Sequence, residues 1–172
     1  MDGFAYSTEV RVRFAETDAQ GIAHHSNYLV WFELARVAYL AEYTGGYQAL
    51  RDEGYEATVV EAHARYLAPA RFDDVIRIWL RCLDVRGARF RYEYVLERIA
   101  DGVKVADGWT SHACVDARTL RPTRLPQWLK DAIAAAEAGA TERPASAPEP
   151  ARGSLSQERS SSVRSSAAAK SS

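Results

Sequence analysis

The residues best suited to chemistry are concentrated in one segment, 14–28. Asp18 supplies a carboxylate, Gly21 permits a tight turn, and His25 stands just before a predicted helix. A helix start carries unpaired backbone N–H groups and about half a positive charge, so it can polarise a carbonyl or hold an oxyanion. A carboxylate folded back against such donors suits acyl transfer, with Asp18 as nucleophile or as base for water. From spacing alone, a surface aspartate in a turn is the alternative.

The few cysteines and histidines do not form a metal-binding pattern. Cys82 and Cys114 lie far apart in a chain without a secretory signal, which predicts two reduced, buried thiols in a cytoplasmic protein. The adjacent His24 and His25 are poor partners for one ion, and no glycine-rich phosphate loop is present. We therefore expect neither a metal nor a bound cofactor.

A long helix must follow the chemical segment. From Asn27 the sequence is rich in helix-forming residues and ends at Gly45, which suits a left-handed stop; Ser26 or Asn27 could cap its start. The helix is apolar nearly all round, with Glu33 and Arg36 as its early charges, three residues apart and able to pair. Such a helix must be surrounded, and it is short for a membrane span, so we expect a sheet to wrap it.

Alternating apolar and polar residues predict about five strands around this helix. The turn at Asp101–Gly102 is a strong hairpin signal, and the strands that follow the helix should pair antiparallel. One helix in the concave face of a curved antiparallel sheet is an α+β arrangement. The predicted strands span 9–14, 56–67, 75–85, 89–99 and 103–116, and a terminal helix spans 127–138.

Composition divides the chain into a domain, 1–138, and a tail, 139–172. The whole chain has 172 residues, 47% hydrophobic and 26% charged, with a formal net charge of -1. This balance gives no electrostatic reason for a nucleic-acid partner, and no apolar run predicts a membrane span. The tail holds ten serines, seven alanines and three prolines. We expect it to be disordered, because it offers too little apolar surface to offset the entropy of ordering.

The chemical segment resembles the opening motif of the hotdog-fold acyl-CoA thioesterases, in the 4-hydroxybenzoyl-CoA thioesterase family that includes the Tol–Pal-associated branch. The similarity covers RFAETDAQGIAHHSNYLVWFELAR without gaps and continues more weakly to about residue 130. One position departs from the Tol–Pal-associated branch, where a tyrosine occurs in place of Phe14. The matched positions are Asp18, Gly21, His25, Asn27, Tyr28, Glu33, Ala35 and Arg36.

The resemblance implies a fold, a reaction and an assembly. In this family a curved sheet of about five strands wraps a long central helix, and two subunits join edge to edge as a homodimer, or as a homotetramer, with active sites between subunits. The implied catalytic residues are Asp18, as the carboxylate, and His25, whose backbone N–H faces the thioester carbonyl and whose imidazole can transfer a proton. The substrate is an acyl- or aroyl-CoA, so coenzyme A belongs to the substrate.

Two other functions remain open at this stage. An acid and a histidine in such a loop could also serve a hotdog-fold enoyl-CoA hydratase or dehydratase, although the hydratase-type D-x-N-P-x-H pattern does not occur. A non-catalytic module that binds acyl groups is the third reading, which the presence of Asp18 disfavours. The candidates for coenzyme A phosphates are the arginines that no motif singles out, namely Arg65, Arg71, Arg86, Arg89 and Arg91.

Overall fold

The computed structural model describes residues 1–142 as a five-stranded sheet with one long helix packed on its inner face. The first strand is followed by a single 3-10 turn, Phe14–Glu16, and then by the long helix. The elements in chain order are β1 (Tyr6–Arg11), α1 (Asn27–Thr44), α2 (Gly46–Asp52), β2 (Tyr55–Tyr66), β3 (Val75–Arg86), β4 (Arg89–Arg98), β5 (Val103–Asp116) and α3 (Gln127–Glu142).

The sheet has the order β1-β3-β4-β5-β2, and every neighbouring pair is antiparallel. The hairpins β3–β4 and β4–β5 form its centre, while β1 and β2 are its two edges. In the chain, α1 and α2 lie between β1 and β2, so these helices connect the two edge strands of the sheet. This is the α+β arrangement that the alternation predicted.

The core lies between α1 and the inner face of the central strands. Alternate residues of β4, from Phe90 to Leu96, are buried there, while their neighbours face outwards, as the sequence pattern predicted. Phe32 of α1 stacks on Tyr94 of β4 with ring centroids 4.1 Å apart and planes 4° from parallel. The register of helix on sheet is therefore set by flat aromatic contact as well as by aliphatic burial.

The first strand begins and ends earlier than the predicted range 9–14. It spans Tyr6–Arg11, and Val12 is fully buried just after it. Phe14, the last residue of the predicted strand, instead lies in the 3-10 turn with 75% of its surface exposed. Alternation alone could not show this, because the strand loses its partner where β3 begins at Val75.

The sheet packs on one side of α1, as the predicted fold implies, and leaves an apolar stripe on the other side of the helix exposed in a single chain. Leu29, Val30, Leu34 and Val37 are each between 43% and 50% exposed. The helix ends as predicted, with Gly45 left-handed at φ 77°, but Ser26 makes no capping hydrogen bond at the other end. An exposed apolar stripe of this kind marks an interaction surface.

The last helix continues past the predicted end at residue 138. It reaches Glu142, and Leu129, Ile133 and Ala136 bury its inner face against the core. The predicted disordered tail lies, from residue 143 onwards, outside the described residues. Within residues 1–142, no helix is both long enough and apolar enough to cross a membrane.

Candidate active site

The loop between β1 and α1 is closed by hydrogen bonds at its base and at its tip. At the base, the His24 N–H donates to the Glu16 carbonyl at 2.8 Å, and Thr17 forms a β-bridge with Ala23. At the tip, the Gly21 N–H donates to the Asp18 carbonyl at 2.9 Å. Gly21 has φ +71°, a left-handed conformation that favours glycine, which accounts for its place in the motif.

Asp18 lies half-buried in this loop with its carboxylate held by the backbone. Its Oδ1 accepts the Gln20 N–H at 2.8 Å, while its own N–H donates to the Ile22 carbonyl. Within residues 1–142, Oδ2 makes no hydrogen bond. One oxygen therefore orients the carboxylate, and the other is available to water or to a substrate carbon.

The backbone carbonyl and the backbone N–H of His25 both lie just before the start of α1. Its carbonyl accepts hydrogen bonds from Tyr66 Oη at 3.1 Å and from the Tyr28 N–H at 3.4 Å. In the part of the chain that the structure describes, the His25 N–H has no hydrogen-bond acceptor. By contrast, the Ser26 N–H donates to His24 Nδ1, and the Asn27 N–H donates to the His24 carbonyl, three residues back. The His25 N–H is thus a donor without an acceptor, within residues 1–142, at a helix start, and its role in catalysis stays a prediction.

The neighbouring His24 has a different role. Its Nδ1 lies 2.8 Å from the Ser26 hydroxyl oxygen, and its ring lies 4.1 Å from the His25 ring, centroid to centroid. Of these two histidines, His25 lines the pocket described next. The two histidines are adjacent in sequence and their rings are close together, but they differ in whether they line the pocket.

Asp18 and His25 open onto the same pocket, of about 520 Å³. Its other walls come from the start of α1, at Tyr28, and from the end of β2 with the segment that follows, Tyr66 to Pro69. Tyr28 is buried and makes an edge contact with Tyr66, at 4.9 Å between ring centroids. Burial raises the pKa of the Tyr28 phenol, so this wall stays neutral at ordinary pH. We call this cavity the active-site pocket.

Tyr66 is a pocket residue that sequence reasoning missed. It ends β2, more than forty positions away from His25, and it reaches the His25 carbonyl only because β2 returns beside α1. The signal available in the sequence was the weaker similarity around 64–74. That signal did not say which side chain would meet the loop.

The charged residues singled out in the sequence differ in how far they are already paired. Arg65 donates two hydrogen bonds to Asp107, and Arg91 is held by two carboxylates. Among residues 1–142, the side chains of Arg71, Arg86 and Arg89 form no ion pair. Glu33 and Arg36 approach only to 4.0 Å, at the outer limit of an ion pair.

No metal-binding cluster is formed by the residues that the structure describes. Within residues 1–142, no three side chains of His, Cys, Asp or Glu converge as ligands. The expectation of a site without metal or cofactor stays a prediction.

Comparison with known proteins decides the family. Residues 12–133 match the thioesterase-like superfamily. The chain belongs to the thioesterase-like superfamily. An acyl-CoA thioesterase, YbgC, of Haemophilus influenzae is 33% identical over 129 residues, which are 74% of this chain and 93% of that protein. A 1,4-dihydroxy-2-naphthoyl-CoA hydrolase of Thermosynechococcus vestitus is 31% identical over 126 residues, 70% of this chain and 86% of that protein.

Solved structures agree with the sequence relatives. A DHNA-CoA thioesterase from Staphylococcus aureus superposes with a TM-score of 0.71 at 26% identity, covering 79% of this chain and 93% of that one. The five-stranded antiparallel sheet with its long helix is therefore the hotdog fold, as the motif implied. These matches also confirm the predicted reaction class, thioester hydrolysis.

Proposed function

We propose that this member of the thioesterase-like superfamily hydrolyses an acyl- or aroyl-CoA to the free acid and coenzyme A, with Asp18 and His25 as its catalytic residues and without a metal or cofactor. The proposal is supported by two chemical groups that the fold brings to the same pocket. A carboxylate with one free oxygen and a backbone N–H with no acceptor in residues 1–142 open onto one pocket at a helix start. The relatives named above as acyl-CoA thioesterase and aroyl-CoA hydrolase support the substrate class.

In the proposed reaction, the thioester carbonyl oxygen accepts a hydrogen bond from the His25 N–H at the positive end of α1. Negative charge grows on that oxygen as the carbonyl carbon is attacked, so the donor binds the transition state more tightly than the substrate. Asp18 either takes a proton from the attacking water or attacks the carbon itself and is then released by water. The C–S bond breaks, and the departing thiolate takes a proton from the His25 imidazole or from water.

The pocket suits an apolar acyl group. Its volume of about 520 Å³ lies within the usual range for small-molecule sites, roughly 300–1,000 Å³. Tyr28, Tyr66 and Leu67 supply aromatic and aliphatic walls. The substrate panel should therefore contain benzoyl-, hydroxybenzoyl- and straight-chain acyl-CoAs of several lengths.

We propose that the protein acts as a homodimer, or as a homotetramer built from dimers, joined at β2. This strand is a sheet edge, and its residues 58–63 are exposed on both faces. Val59 and Val60 on β2 are exposed to a similar extent as the residues of the apolar stripe on α1, which are Leu29, Val30, Leu34 and Val37. An unpaired edge beside apolar surface favours pairing with a second copy. Sedimentation of Val60→Glu against wild type tests this, because a charge buried at the β2 interface should shift the protein towards monomer.

Coenzyme A phosphates need arginines that are not already neutralised by a carboxylate. Arg71 lies two residues after the end of the pocket segment at Pro69, and Arg86 and Arg89 flank the turn between β3 and β4. We expect at least one of the substitutions to alanine at these positions to raise KM for an acyl-CoA. It should leave KM unchanged for the matching acyl-N-acetylcysteamine, which lacks the phosphates. Arg65→Ala is the control, since Asp107 already holds that guanidinium.

The two cysteines support a reducing compartment. Cys82 and Cys114 are both free and buried, and burial raises the pKa of the Cys114 thiol, so neither is a reactive surface thiolate. On this basis we propose that the protein is cytoplasmic. Fractionation of cells that express the full chain tests the assignment.

Thiol release from the substrate panel, followed with a thiol reagent, tests the proposed function. Asp18→Asn should lower kcat by about 100-fold or more, because it removes the base or nucleophile. His25→Ala should retain more activity, since the backbone N–H remains. Asp52→Asn is the control, because the Asp52 side chain is exposed and, within residues 1–142, bonds only Gln48 on its own helix. Full activity of Asp18→Asn would refute the mechanism, and hydration of enoyl-CoA without thiol release would replace hydrolysis with hydratase chemistry.

A further inference from the structure

A second acidic residue of the loop, Glu16, is buried and takes no part in the mechanism above. Only 5% of its surface is exposed, and it does not line the active-site pocket. Its carboxylate is nevertheless fully engaged. Oε2 accepts the Arg13 N–H at 2.8 Å, and Oε1 accepts the Arg13 guanidinium at 2.8 Å and the Trp31 indole N–H at 3.3 Å.

These contacts join the end of the first strand to the second turn of α1. Arg13 precedes the 3-10 turn, whereas Trp31, which is 1% exposed, lies inside the helix. A buried carboxylate with three donors is a rigid connection, because removing a donor leaves part of a buried negative charge without compensation. The Glu16 side chain thus fixes where the loop starts relative to the helix.

The backbone of the same residue fixes where the loop ends. Its carbonyl accepts the His24 N–H and the Asn27 side-chain Nδ2, both at 2.8 Å. The loop therefore leaves Glu16 towards Asp18, two residues later, and returns to Glu16 at His24, one residue before His25. This also accounts for Asn27 in the motif, since its amide holds the helix start to the loop base.

We propose that Glu16 is a positioning residue for thioester hydrolysis: by bonding Arg13, Trp31 and the loop base, it sets the Asp18 carboxylate opposite the His25 N–H. The inference rests on the proposed function, because it concerns the geometry of that same site. Misplacement of reacting groups by about 1 Å can cost about 100-fold in rate, so such a connection matters even without contact to substrate.

The electrostatics of Glu16 suit a fixed anion rather than an acid or base. Burial by itself would raise the pKa of Glu16, but the hydrogen bonds from Arg13 and Trp31 outweigh it and hold the pKa below its ordinary value. The carboxylate therefore stays ionised at neutral pH and keeps its acceptors for the three donors. A protonated Glu16 would lose an acceptor site.

The kinetic test compares Glu16→Gln and Glu16→Ala with a matched control. Glu53→Gln makes the same change in a similar carboxylate–indole bond, in which Glu53, just after α2, accepts from Trp128 Nε1 of α3 at 2.6 Å. We expect kcat to fall about 100-fold in Glu16→Ala and less in Glu16→Gln, which keeps the shape and an acceptor, with KM changed less than about threefold in both. Glu53→Gln should leave kcat unchanged. Wild-type kcat in folded Glu16→Ala, or a loss confined to KM, would overturn the proposal.

A spectroscopic test separates this inference from the proposed function. In amide ¹H–¹⁵N spectra, Glu16→Gln should shift the resonances of Asp18 and His25 and increase hydrogen exchange at His24, while Glu53→Gln should leave all three unchanged. Unshifted Asp18 and His25 resonances in Glu16→Gln would overturn the positioning role, whatever the activity. If wild type hydrolyses no thioester in the panel, the proposed function fails, and the spectra still decide whether Glu16 sets the loop.

Discussion

Gly108 offers the sharpest prediction about what holds this domain together. It lies in β5 opposite Tyr94 of β4 and Ala64 of β2, where α1 crosses the sheet. A Cβ built on Gly108 would come within 2.2 Å of the His63 carbonyl oxygen and within 2.8 and 2.9 Å of two ring carbons of Phe32. Contacts under 3.0 Å require the neighbours to move.

The cost of Gly108→Ala follows from how little those neighbours can move. The His63 carbonyl belongs to the backbone of the paired strand β2, and the fully buried Phe32 ring is held flat against Tyr94. Overpacking typically costs about 1–3 kcal/mol, and a backbone clash places this site at the upper end, about 3 kcal/mol. For a domain of this size that corresponds to a fall of about 10 °C in Tm.

Thermal unfolding at one fixed protein concentration measures this change, since association would otherwise shift Tm. Gly139→Ala is the matched control, because it makes the same chemical change on α3 with no atom within 4 Å of the added carbon. In a helix it should raise stability by about 0.5–1 kcal/mol. If Gly108→Ala unfolded at or above the wild-type Tm, the packing of α1 on β5 described here would be refuted.

Three further predictions concern the periphery, the core and the tail. Glu137→Ala should destabilise the domain by about 2 kcal/mol, and Glu137→Gln by less, because Oε1 accepts both the Tyr39 hydroxyl and the Cys82 N–H; urea unfolding measures both. His112 is buried, and its pKa is lowered to about 3 by burial and then by Arg36, so the free energy of unfolding should fall as pH drops below 6.5. Between pH 7 and 5, the urea midpoint should therefore change less with pH in His112→Gln than in wild type. Deletion of residues 143–172 should leave Tm and thioesterase kcat unchanged.

The sign of the His112 effect comes from proton counting. The unfolded chain binds a proton at His112 near pH 6.5, whereas the folded chain does so only near pH 3. Stability is therefore complete above pH 6.5 and is lost as pH falls, by at most about 1.4 kcal/mol per pH unit. Identical pH profiles for wild type and His112→Gln would contradict the burial of a neutral imidazole.

Each of the other two predictions also has a contradicting result. If Glu137→Ala unfolds at the wild-type urea midpoint, its bonds to Tyr39 and Cys82 do not hold α3 to the core. If removal of 143–172 abolishes hydrolysis, the catalytic unit extends beyond the part of the chain that the structure describes. A chain that ends at residue 136 lacks both Glu137 and the tail, so it should unfold at a lower urea midpoint than the chain from which only residues 143–172 are removed.

The sequence alone determined the elements and the chemical segment. Apolar alternation placed β3, β4 and β5 to within one residue, because a strand with one face in the core must alternate. Asp18 and Gly21 could be selected because a carboxylate, a turn glycine and a helix start within eight positions are a local pattern, whereas His25 was implied by the resemblance to the thioesterase motif. Local patterns are readable because the chain itself carries their spacing.

The tertiary structure decided what depends on contacts between distant segments. Tyr66 meets the His25 carbonyl only after β2 has packed beside α1, and Glu16 meets Trp31 only after the loop has closed against α1; neither contact has a signature in local spacing. The same holds for the exposed stripe on α1, which looks no different in sequence from the buried side of that helix. Residue type fixes what a side chain can do, but the packing of the sheet on the helix decides which side chains meet water, a pocket or one another.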